Sequence, residues 1–213
     1  MKLYLSSYKF GNHSEKLAEL AGSNKTAAVI MNAVDFGDKE HQHNSLLTQI
    51  EKLNELGFNA KELDLRNYFG KKNELKKYLQ GVGLVWIHGG NAFILKRAFE
   101  QSGFEILIKE FVKNDQIIYA GFSAAVCVAA PTLHGTELVD DLNIVPEGYN
   151  QNFNWDGLGF ISYSIAVHYQ SNHPESGLIE KEVEYFKEKS MPYKTLRDGE
   201  VIVVENEKET LVH

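Results

Sequence analysis

The stretch "IIYAGFSAAVCVAAPT" (residues 117–132) joins a strand-like and a helix-like sequence pattern, which together indicate the fold. Its first half is apolar and β-branched, as in a buried strand, and its second half is an alanine-rich run typical of a helix packed closely on a sheet. Ser123 lies between them, flanked at two residues' distance by Gly121 and Ala125. A sharp strand-to-helix turn crowds those two positions, so that only glycine or alanine fits there. The stretch therefore predicts a strand, a tight turn at Ser123 and a helix.

Predicted strands and predicted helices alternate along the rest of the chain. The other predicted strands are "KLYLS", "TAAVIM", "GLVWIH", "ISYSIAVHY" and "VIVVE". Helical spacing of apolar residues recurs between them, within residues 46–56, 75–79, 94–99, 106–111 and 179–186. Alternation of strands and helices is typical of parallel sheets with helical crossovers. The chain is therefore predicted to be an α/β three-layer sandwich, with a mostly parallel central sheet flanked by helices. "EVIVVENEKETLVH" adds a C-terminal β-hairpin that turns near residues 206–208.

The composition argues against several classes of protein. The 213 residues are 43% hydrophobic and lack a convincing linker, which predicts a single domain over residues 1–213. The net charge of -7 argues against a nucleic-acid partner, which would favour a basic face. No apolar run is long enough for a membrane span or a signal peptide, so no membrane association is expected. Cys127 is the single cysteine, and a cytoplasmic location is the simplest expectation.

The segment 134–159 interrupts the alternation. It is rich in Asp, Asn and Gly, and a long loop of this kind in a compact domain is more often functional than accidental. Phe153 and Trp155 in it are candidates for contact with a substrate or a partner. A homodimer is compatible with these features.

The tight turn also predicts chemistry. It would present the Ser123 hydroxyl at the carboxyl edge of the sheet, where the N–H of Ala124 could stabilise an oxyanion. A serine needs a base, and His168 ends the predicted strand "SIAVHY", a position where α/β sheets place functional groups. Two plainer interpretations stay open: Ser123 as an ordinary small residue, and His168 as a core-edge histidine bonded to the backbone. Cys127 is expected to be a small buried side chain rather than a reactive thiol.

A second glycine-containing turn, "HGGNAF", follows the predicted strand "GLVWIH". Glycine permits close approach of a ligand to the backbone, so the N–H of Gly90 is a candidate for the second oxyanion donor. Asn91 beside it is a candidate substrate-binding residue, and His88 is expected to shape the loop. A phosphate-binding loop is the competing interpretation, but neither of the usual glycine-rich nucleotide patterns is present.

With "IHGGNAF", "AGFSAAVCVAAPT" and "SIAVHY" in this order, the chain resembles the peptidase E family of serine peptidases, which includes aspartyl dipeptidases and is related to cyanophycinase. The resemblance covers essentially the whole chain. It implies an α/β sandwich akin to class I glutamine amidotransferases, with a serine at the elbow where those enzymes carry cysteine. It also implies Ser123 as nucleophile, His168 as base and, from "LRDGEVI", Asp198 as the acid that orients the base.

The chain departs from the family pattern at several positions. Asp198 stands where the family usually has Glu, and Ala125 replaces a glycine. Strict aspartyl dipeptidases use an arginine after the base to bind the substrate's aspartyl carboxylate, whereas no arginine lies between Gly121 and Lys194 here. Strict selectivity for an N-terminal aspartate is therefore not expected. The family also has an acid about fifteen residues after the serine, and the candidates for binding a substrate's amino group are Glu137, Asp140 and Asp141.

These features predict a cytoplasmic serine peptidase, a dipeptidase-like exopeptidase acting on small peptides through Ser123, His168 and Asp198. No metal or organic cofactor is implied. One alternative is an esterase of the α/β-hydrolase type, with Asp140, Asp141 or Asp156 as the acid, although little chain lies between Ser123 and His168 to build the intervening strands. Another is an amidotransferase-like domain whose active site has decayed into a ligand-binding module.

Overall fold

The computed structural model describes residues 1–213 and contains nine strands and seven α-helices. The strands are β1 (Lys2–Ser6), β2 (Thr26–Ile30), β3 (Asn59–Glu62), β4 (Leu84–Ile87), β5 (Ile118–Phe122), β6 (Ser164–Ala166), β7 (Tyr193–Thr195), β8 (Val201–Glu205) and β9 (Lys208–Val212). The helices are α1 (Glu15–Ala21), α2 (Lys39–Glu55), α3 (Lys72–Leu79), α4 (Ala92–Ser102), α5 (Phe104–Lys113), α6 (Ala124–Ala129) and α7 (Ser176–Glu188).

Seven of the strands form the central sheet, in the order β3-β2-β4-β5-β1-β8-β9. The five strands from β3 to β1 are parallel, while β8 runs antiparallel to β1 and pairs with β9 in a hairpin. Asn206 and Glu207 turn that hairpin with φ of 51° and 65°, as a two-residue hairpin turn of the favoured hand requires. The predicted mostly parallel sheet and C-terminal hairpin are therefore confirmed.

The sheet separates two hydrophobic cores because successive side chains of a strand point to opposite faces. In β4, Leu84 and Trp86 pack with the buried residues of α1 and α2. Val85 and Ile87 face the other side and pack with α3, α4, α5 and α6. Helices thus cover both faces, which is the predicted three-layer sandwich. None of these helices combines the length and the apolar character that crossing a membrane requires.

Apart from the three-residue strand β7, two elements were not expected from the sequence. The strand β3 has the polar sequence "NAKE" and lies at the edge of the sheet, where only Ala60 is buried. The short helix α1 buries only Leu17 and Leu20. Neither element carries enough apolar residues for periodicity to identify it.

The predicted strand "ISYSIAVHY" differs most from the structure. Only Ser164–Ala166 is extended, and this strand pairs with β7 in a separate two-stranded parallel sheet. Ala166 packs against Ile179 and Phe186 of α7 in a small core of its own. His168 therefore approaches the edge of the central sheet from a separate unit, instead of ending one of its strands.

The long segment 134–159 is mostly irregular but is packed against the sandwich. Phe153 and Trp155 are half-buried and meet the ring of Phe93 edge-on, at centroid distances of 5.0 and 5.7 Å. Buried Arg97 of α4 donates to the carbonyl oxygens of Leu142 and Asn150. The aromatic side chains predicted as possible substrate or partner contacts thus pack against the core and stay partly exposed.

Candidate active site

The turn between β5 and α6 has the tight geometry that its sequence predicts. Ser123 adopts φ 51° and ψ -110°, an uncommon conformation for a residue with a side chain. A Cβ on Gly121 would lie 2.4 Å from the carbonyl oxygen of Ile87 and 2.7 Å from the Cβ of Ala125. The positions two before and two after Ser123 are therefore in contact, and only small residues fit. This conformation holds Ser123 clear of the strand, with a helix N-terminus directly after it.

The carboxyl ends of three neighbouring parallel strands meet around this serine. Ser7 and Tyr8 follow β1, the Gly89–Gly90 turn follows β4, and Ser123 follows β5. They surround a cavity of about 210 Å³, here called the Ser123 cavity. Its lining includes Tyr8, His88, Gly90, Ser123, His168 and Glu175. Carboxyl edges of parallel sheets are the usual location of ligand sites in this fold class.

His168 and Asp198 form a hydrogen-bonded pair at this cavity. The distance from His168 Nδ1 to Asp198 Oδ1 is 2.6 Å. Ser7 Oγ accepts a hydrogen bond from the backbone N–H of His168 at 2.8 Å and donates to Asp198 Oδ1 at 3.1 Å. The loop after β1 thereby ties the small β6–β7 unit to the central sheet. This contact brings three residues distant in sequence together.

The pair leaves His168 suited to accept a proton. Because a carboxylate only accepts, Nδ1 of the neutral ring carries the hydrogen and Nε2 keeps its lone pair. Burial lowers the pKa of His168, with a smaller contribution from the nearby His173, while Asp198 acts in the opposite direction. The imidazole is therefore neutral near pH 7.

A second histidine stacks on the first. The rings of His168 and His173 lie 3.7 Å apart and are nearly parallel, and Tyr8 meets both edge-on. Potential ligand atoms of His168, His173 and Glu175 lie within 4.8 Å of one another. The in-plane lone pairs of parallel stacked rings do not converge on one point, so this arrangement suits ring orientation better than metal chelation.

The backbone N–H groups of Gly90 and Ala124, the predicted oxyanion donors, donate to no backbone carbonyl. Gly90 has φ 134°, and a Cβ there would lie 2.6 Å from the carbonyl oxygen of Ala33. Glycine is thus required at this position, and both N–H groups are available to a developing negative charge.

Carboxylates gather on one side of Ser123. Asp140, Glu175 and Glu182 line a narrow crevice next to Ser123 and Ala124. Burial raises the pKa of Asp140 to about 7, although its Oδ2 accepts from the N–H of Ala92 at 2.7 Å. Burial, together with the charge of Asp140, raises the pKa of Glu182 to about 8. Glu182 Oε2 is buried without a hydrogen-bond partner.

The other predicted substrate-binding residues lie elsewhere. Asn91 is buried and caps α4: its Oδ1 accepts from two N–H groups of the first turn, and its Nδ2 donates to the carbonyl oxygen of Asp141. Glu137 is exposed and accepts from the N–H of Gly135. Asp141 is exposed and accepts from the N–H of Asn143. None of the three lines the Ser123 cavity or the crevice.

Sequence reasoning did not assign roles to Ser7, Tyr8, His173, Glu175 or Glu182. A signal existed for Glu182, which shares the buried face of α7 with apolar side chains. An acid at such a position is unusual without a partner or a function. His173 and Glu175 lie in the polar segment "QSNHPES", where sequence alone cannot indicate proximity to His168.

Comparison with known proteins identifies relatives of this chain. It is 27% identical over 161 residues to a probable alpha-aspartyl dipeptidase of Drosophila melanogaster, covering 73% of this chain and 61% of the relative. It is 29% identical over 132 residues to a peptidase E of Streptomyces coelicolor, covering 60% and 51%. The matched region thus spans about half to three-fifths of these relatives.

Solved structures share the fold. A candidate peptidase E from Listeria monocytogenes superposes with a TM-score of 0.80 at 20% identity, covering 99% of this chain and 97% of that one. A peptidase from an acI-B1 actinobacterium superposes with a TM-score of 0.68 at 15% identity, covering 99% and 86%. The model of peptidase family S51 matches residues 6–212. Since that match takes in nearly every residue, the chain belongs to peptidase family S51.

Proposed function

We propose that this chain is a serine peptidase that hydrolyses small peptides, with Ser123 as nucleophile, His168 as general base and Asp198 as the acid that orients the base. One observation carries this assignment: a serine on a tight elbow shares a cavity with a histidine whose other nitrogen is bonded to a carboxylate. That combination of nucleophile, base and orienting group is the recurring arrangement for acyl transfer.

The proposed reaction begins with attack of Ser123 Oγ on the scissile carbonyl carbon, while His168 Nε2 takes the hydroxyl proton. The resulting oxyanion accepts hydrogen bonds from the N–H groups of Gly90 and Ala124. The C–N bond then breaks, and His168 gives its proton to the leaving amine. Water, activated by the same histidine, releases the acyl group from Ser123. Asp198 keeps the hydrogen on Nδ1 throughout and stabilises the imidazolium.

The crevice beside Ser123 favours an exopeptidase. A substrate's free ammonium group would be attracted by Asp140, Glu175 and Glu182, whose side chains line that crevice. Burial raises the pKa of Asp140 and Glu182, and a cation bound in the crevice would favour the ionised forms of both acids. Of the acids predicted to bind a substrate, Asp140 is the one we retain.

The same charges oppose an aspartyl side chain in this crevice. No arginine lines the Ser123 cavity or the crevice, so a second substrate carboxylate there would meet negative charge without compensation. We therefore propose that dipeptides with a small neutral N-terminal residue are better substrates than aspartyl dipeptides.

A library of dipeptides and tripeptides, incubated with wild-type enzyme and the Ser123→Ala variant, tests the assignment. We expect Ser123→Ala to lower kcat by ~10⁴-fold or more, since removing a triad member disables the whole unit. The matched control is Ser23→Ala, which changes an exposed serine between α1 and β2 and should retain full activity. Turnover by purified Ser123→Ala at the wild-type rate would refute the proposal.

Two further measurements separate the alternatives. Asp198 is the carboxylate bonded to His168, whereas Asp156 is exposed and bonded to Asn154. Asp198→Ala should therefore reduce peptide hydrolysis strongly, and Asp156→Ala should not. A serine-directed fluorophosphonate should label wild-type Ser123, and the absence of labelling would favour a decayed ligand-binding module.

A further inference from the structure

A second cavity adjoins the Ser123 cavity on the side of α2. It measures about 400 Å³, and its lining includes Lys9, His41, Ser45 and Gln49; it is here called the Lys9 cavity. The two cavities share the side chains of Tyr8, His88 and Phe122. The Lys9 cavity is therefore directly adjacent to the cavity that contains Ser123.

The two sides of Ser123 favour ligand groups of opposite charge. The residues lining the Lys9 cavity include a lysine, two histidines, amides and hydroxyls, but no aspartate or glutamate. The crevice on the other side of Ser123 is lined by three carboxylates and no lysine or arginine. Such a separation of charge orients a zwitterionic molecule along the line between the two sites.

Lys9 belongs to a loop whose backbone is firmly held. Tyr8 accepts at its carbonyl oxygen a hydrogen bond from the N–H of Gly11 at 3.1 Å. The ring of Phe10 is buried and stacks on Trp86 at a centroid distance of 4.0 Å. Lys9 itself has φ 49°, and its Nζ lies 4.8 Å from the centroid of the Tyr8 ring without forming an ion pair. The ammonium group is therefore positioned at the boundary of the two cavities and free to bind an anion.

His88 leaves Lys9 as the permanent charge of this cavity. Its Nδ1 lies 2.6 Å from the carbonyl oxygen of Gly89 and therefore carries the hydrogen. Its Nε2 then accepts from the hydroxyl of Ser45 at 2.9 Å. Burial lowers the pKa of His88, and the charges of His41 and Lys9 add to this effect. A neutral His88 forms the wall, and Lys9 supplies the positive charge.

We infer that the Lys9 cavity binds the free C-terminal carboxylate of the peptide segment that leaves Ser123, with Lys9 as the residue that recognises it. The inference rests on the proposed function. The substrate would lie with its ammonium end in the crevice and its carboxylate end beside Lys9. The volume of about 400 Å³ in the adjoining cavity would accommodate a leaving segment of one or two residues. The preferred substrates are therefore dipeptides and tripeptides with a free carboxyl terminus.

The test compares kcat/KM for two substrates: the dipeptide hydrolysed fastest in the library, and the same dipeptide with its C-terminus amidated. For wild-type enzyme we expect kcat/KM to be about two- to fivefold higher for the free acid, as an exposed ion pair allows. In Lys9→Gln this ratio should fall close to one. In Lys9→Glu it should invert in favour of the amide.

Lys39→Gln is the matched control. Lys39 is also an exposed lysine near the N-terminus of α2, but it lines a different cavity together with Asp35 and Arg66. This variant should keep the wild-type ratio. The wild-type preference should also shrink at 0.5–1 M salt, where a Debye length of about 3–4 Å screens an exposed pair.

The outcomes separate this inference from the proposed function. Hydrolysis of neither substrate by wild-type enzyme would contradict the proposed function itself. Equal kcat/KM for acid and amide, or an unchanged ratio in both Lys9 variants, would overturn the role of Lys9 while leaving the peptidase assignment intact.

Discussion

At the scale of single residues, the site depends on glycines that leave space for neighbouring atoms as much as on the functional side chains. Ser123 has a positive φ, and the elbow exists because Gly121 places no side chain between β4 and α6. Gly90 likewise leaves room for the carbonyl oxygen of Ala33. The family's glycine at position 125 is dispensable here, since the methyl group of Ala125 packs against Gly121 in full burial.

Gly121→Ala is expected to destabilise the protein and to inactivate it. The added Cβ would lie 2.4 Å from the carbonyl oxygen of Ile87, so β5 or α6 must move, at a cost of ~1–3 kcal/mol or more. Thermal unfolding and peptidase assays would measure both effects. A variant with wild-type kcat and melting temperature would show that the elbow is not crowded.

Gly177→Ala provides the control for that substitution. Gly177 lies in the first turn of α7, and no heavy atom approaches within 4 Å of an added Cβ. Alanine should therefore stabilise this helix slightly, by ~0.5–1 kcal/mol, and leave activity unchanged.

At the scale of elements, helix α7 contributes an acid to the crevice instead of only covering the small sheet. Its buried face combines Ile179, Val183 and Phe186 with Glu182, whose Oε2 has no partner. A buried acid of this kind is held protonated by its surroundings, and ionisation is costly. Burial of Glu182 therefore lowers the stability of the folded protein while placing a carboxyl group near Ser123.

Glu182→Gln is expected to raise the stability of the protein at pH 8 but not at pH 5. The pKa of Glu182 is raised to about 8 in the folded protein, so between its ordinary value and pH 8 the folded state binds a proton that the unfolded state has lost. The wild-type free energy of unfolding therefore falls as pH rises through this window, and glutamine removes the fall.

Melting temperatures of both proteins from pH 5 to pH 8 would measure this effect. A difference of ~2 kcal/mol at pH 8 corresponds to roughly 4–8 °C for a protein of this size. Glu184→Gln, an exposed acid on the same helix, should show no such pH dependence. A constant difference between Glu182→Gln and wild type at all pH values would contradict the assignment.

At the scale of the whole molecule, the long segment 134–159 is part of the packed structure and joins the site to the sandwich. Arg97 of α4 is buried and donates through Nε to Asn150 and through Nη2 to Leu142, at 3.0 and 3.1 Å. The guanidinium carbon also lies 5.2 Å from the centroid of the Phe153 ring. One side chain therefore holds both ends of a stretch that also carries the buried Tyr149.

Arg97→Lys is expected to loosen this segment while leaving the sheet intact. Lysine keeps the charge but lacks the planar fork that reaches two carbonyl oxygens at once. We expect the melting temperature to fall by roughly 4–8 °C, for a loss of ~2 kcal/mol, and limited proteolysis within residues 139–157 to accelerate. Arg197→Lys, a control at an exposed arginine, should be cleaved by the protease at the wild-type rate. Cleavage of Arg97→Lys at the wild-type rate would refute the anchoring role.

Much of the architecture follows from the local pattern of residues. Apolar runs such as "GLVWIH" and "QIIYAGF", separated by helical spacing, were enough to predict the parallel sheet, its two helical layers and the C-terminal hairpin. Elements with few apolar residues, namely α1, β3 and β7, escaped this reasoning because periodicity is carried by buried side chains.

The amino-acid sequence is sufficient to predict the tight elbow at Ser123, because only small residues such as Gly121 and Ala125 fit at a turn of this kind. The order of the motifs, through the resemblance to the peptidase E family, also predicts His168 and Asp198 as the base and acid that accompany Ser123. The folded chain was needed to show that β6 leaves the central sheet and that Ser7 bonds to both His168 and Asp198. It was also needed to show that carboxylates gather on one side of Ser123 with Lys9 on the other. These relations join side chains far apart along the chain, and a spatial contact of that kind leaves no periodic trace in a single sequence.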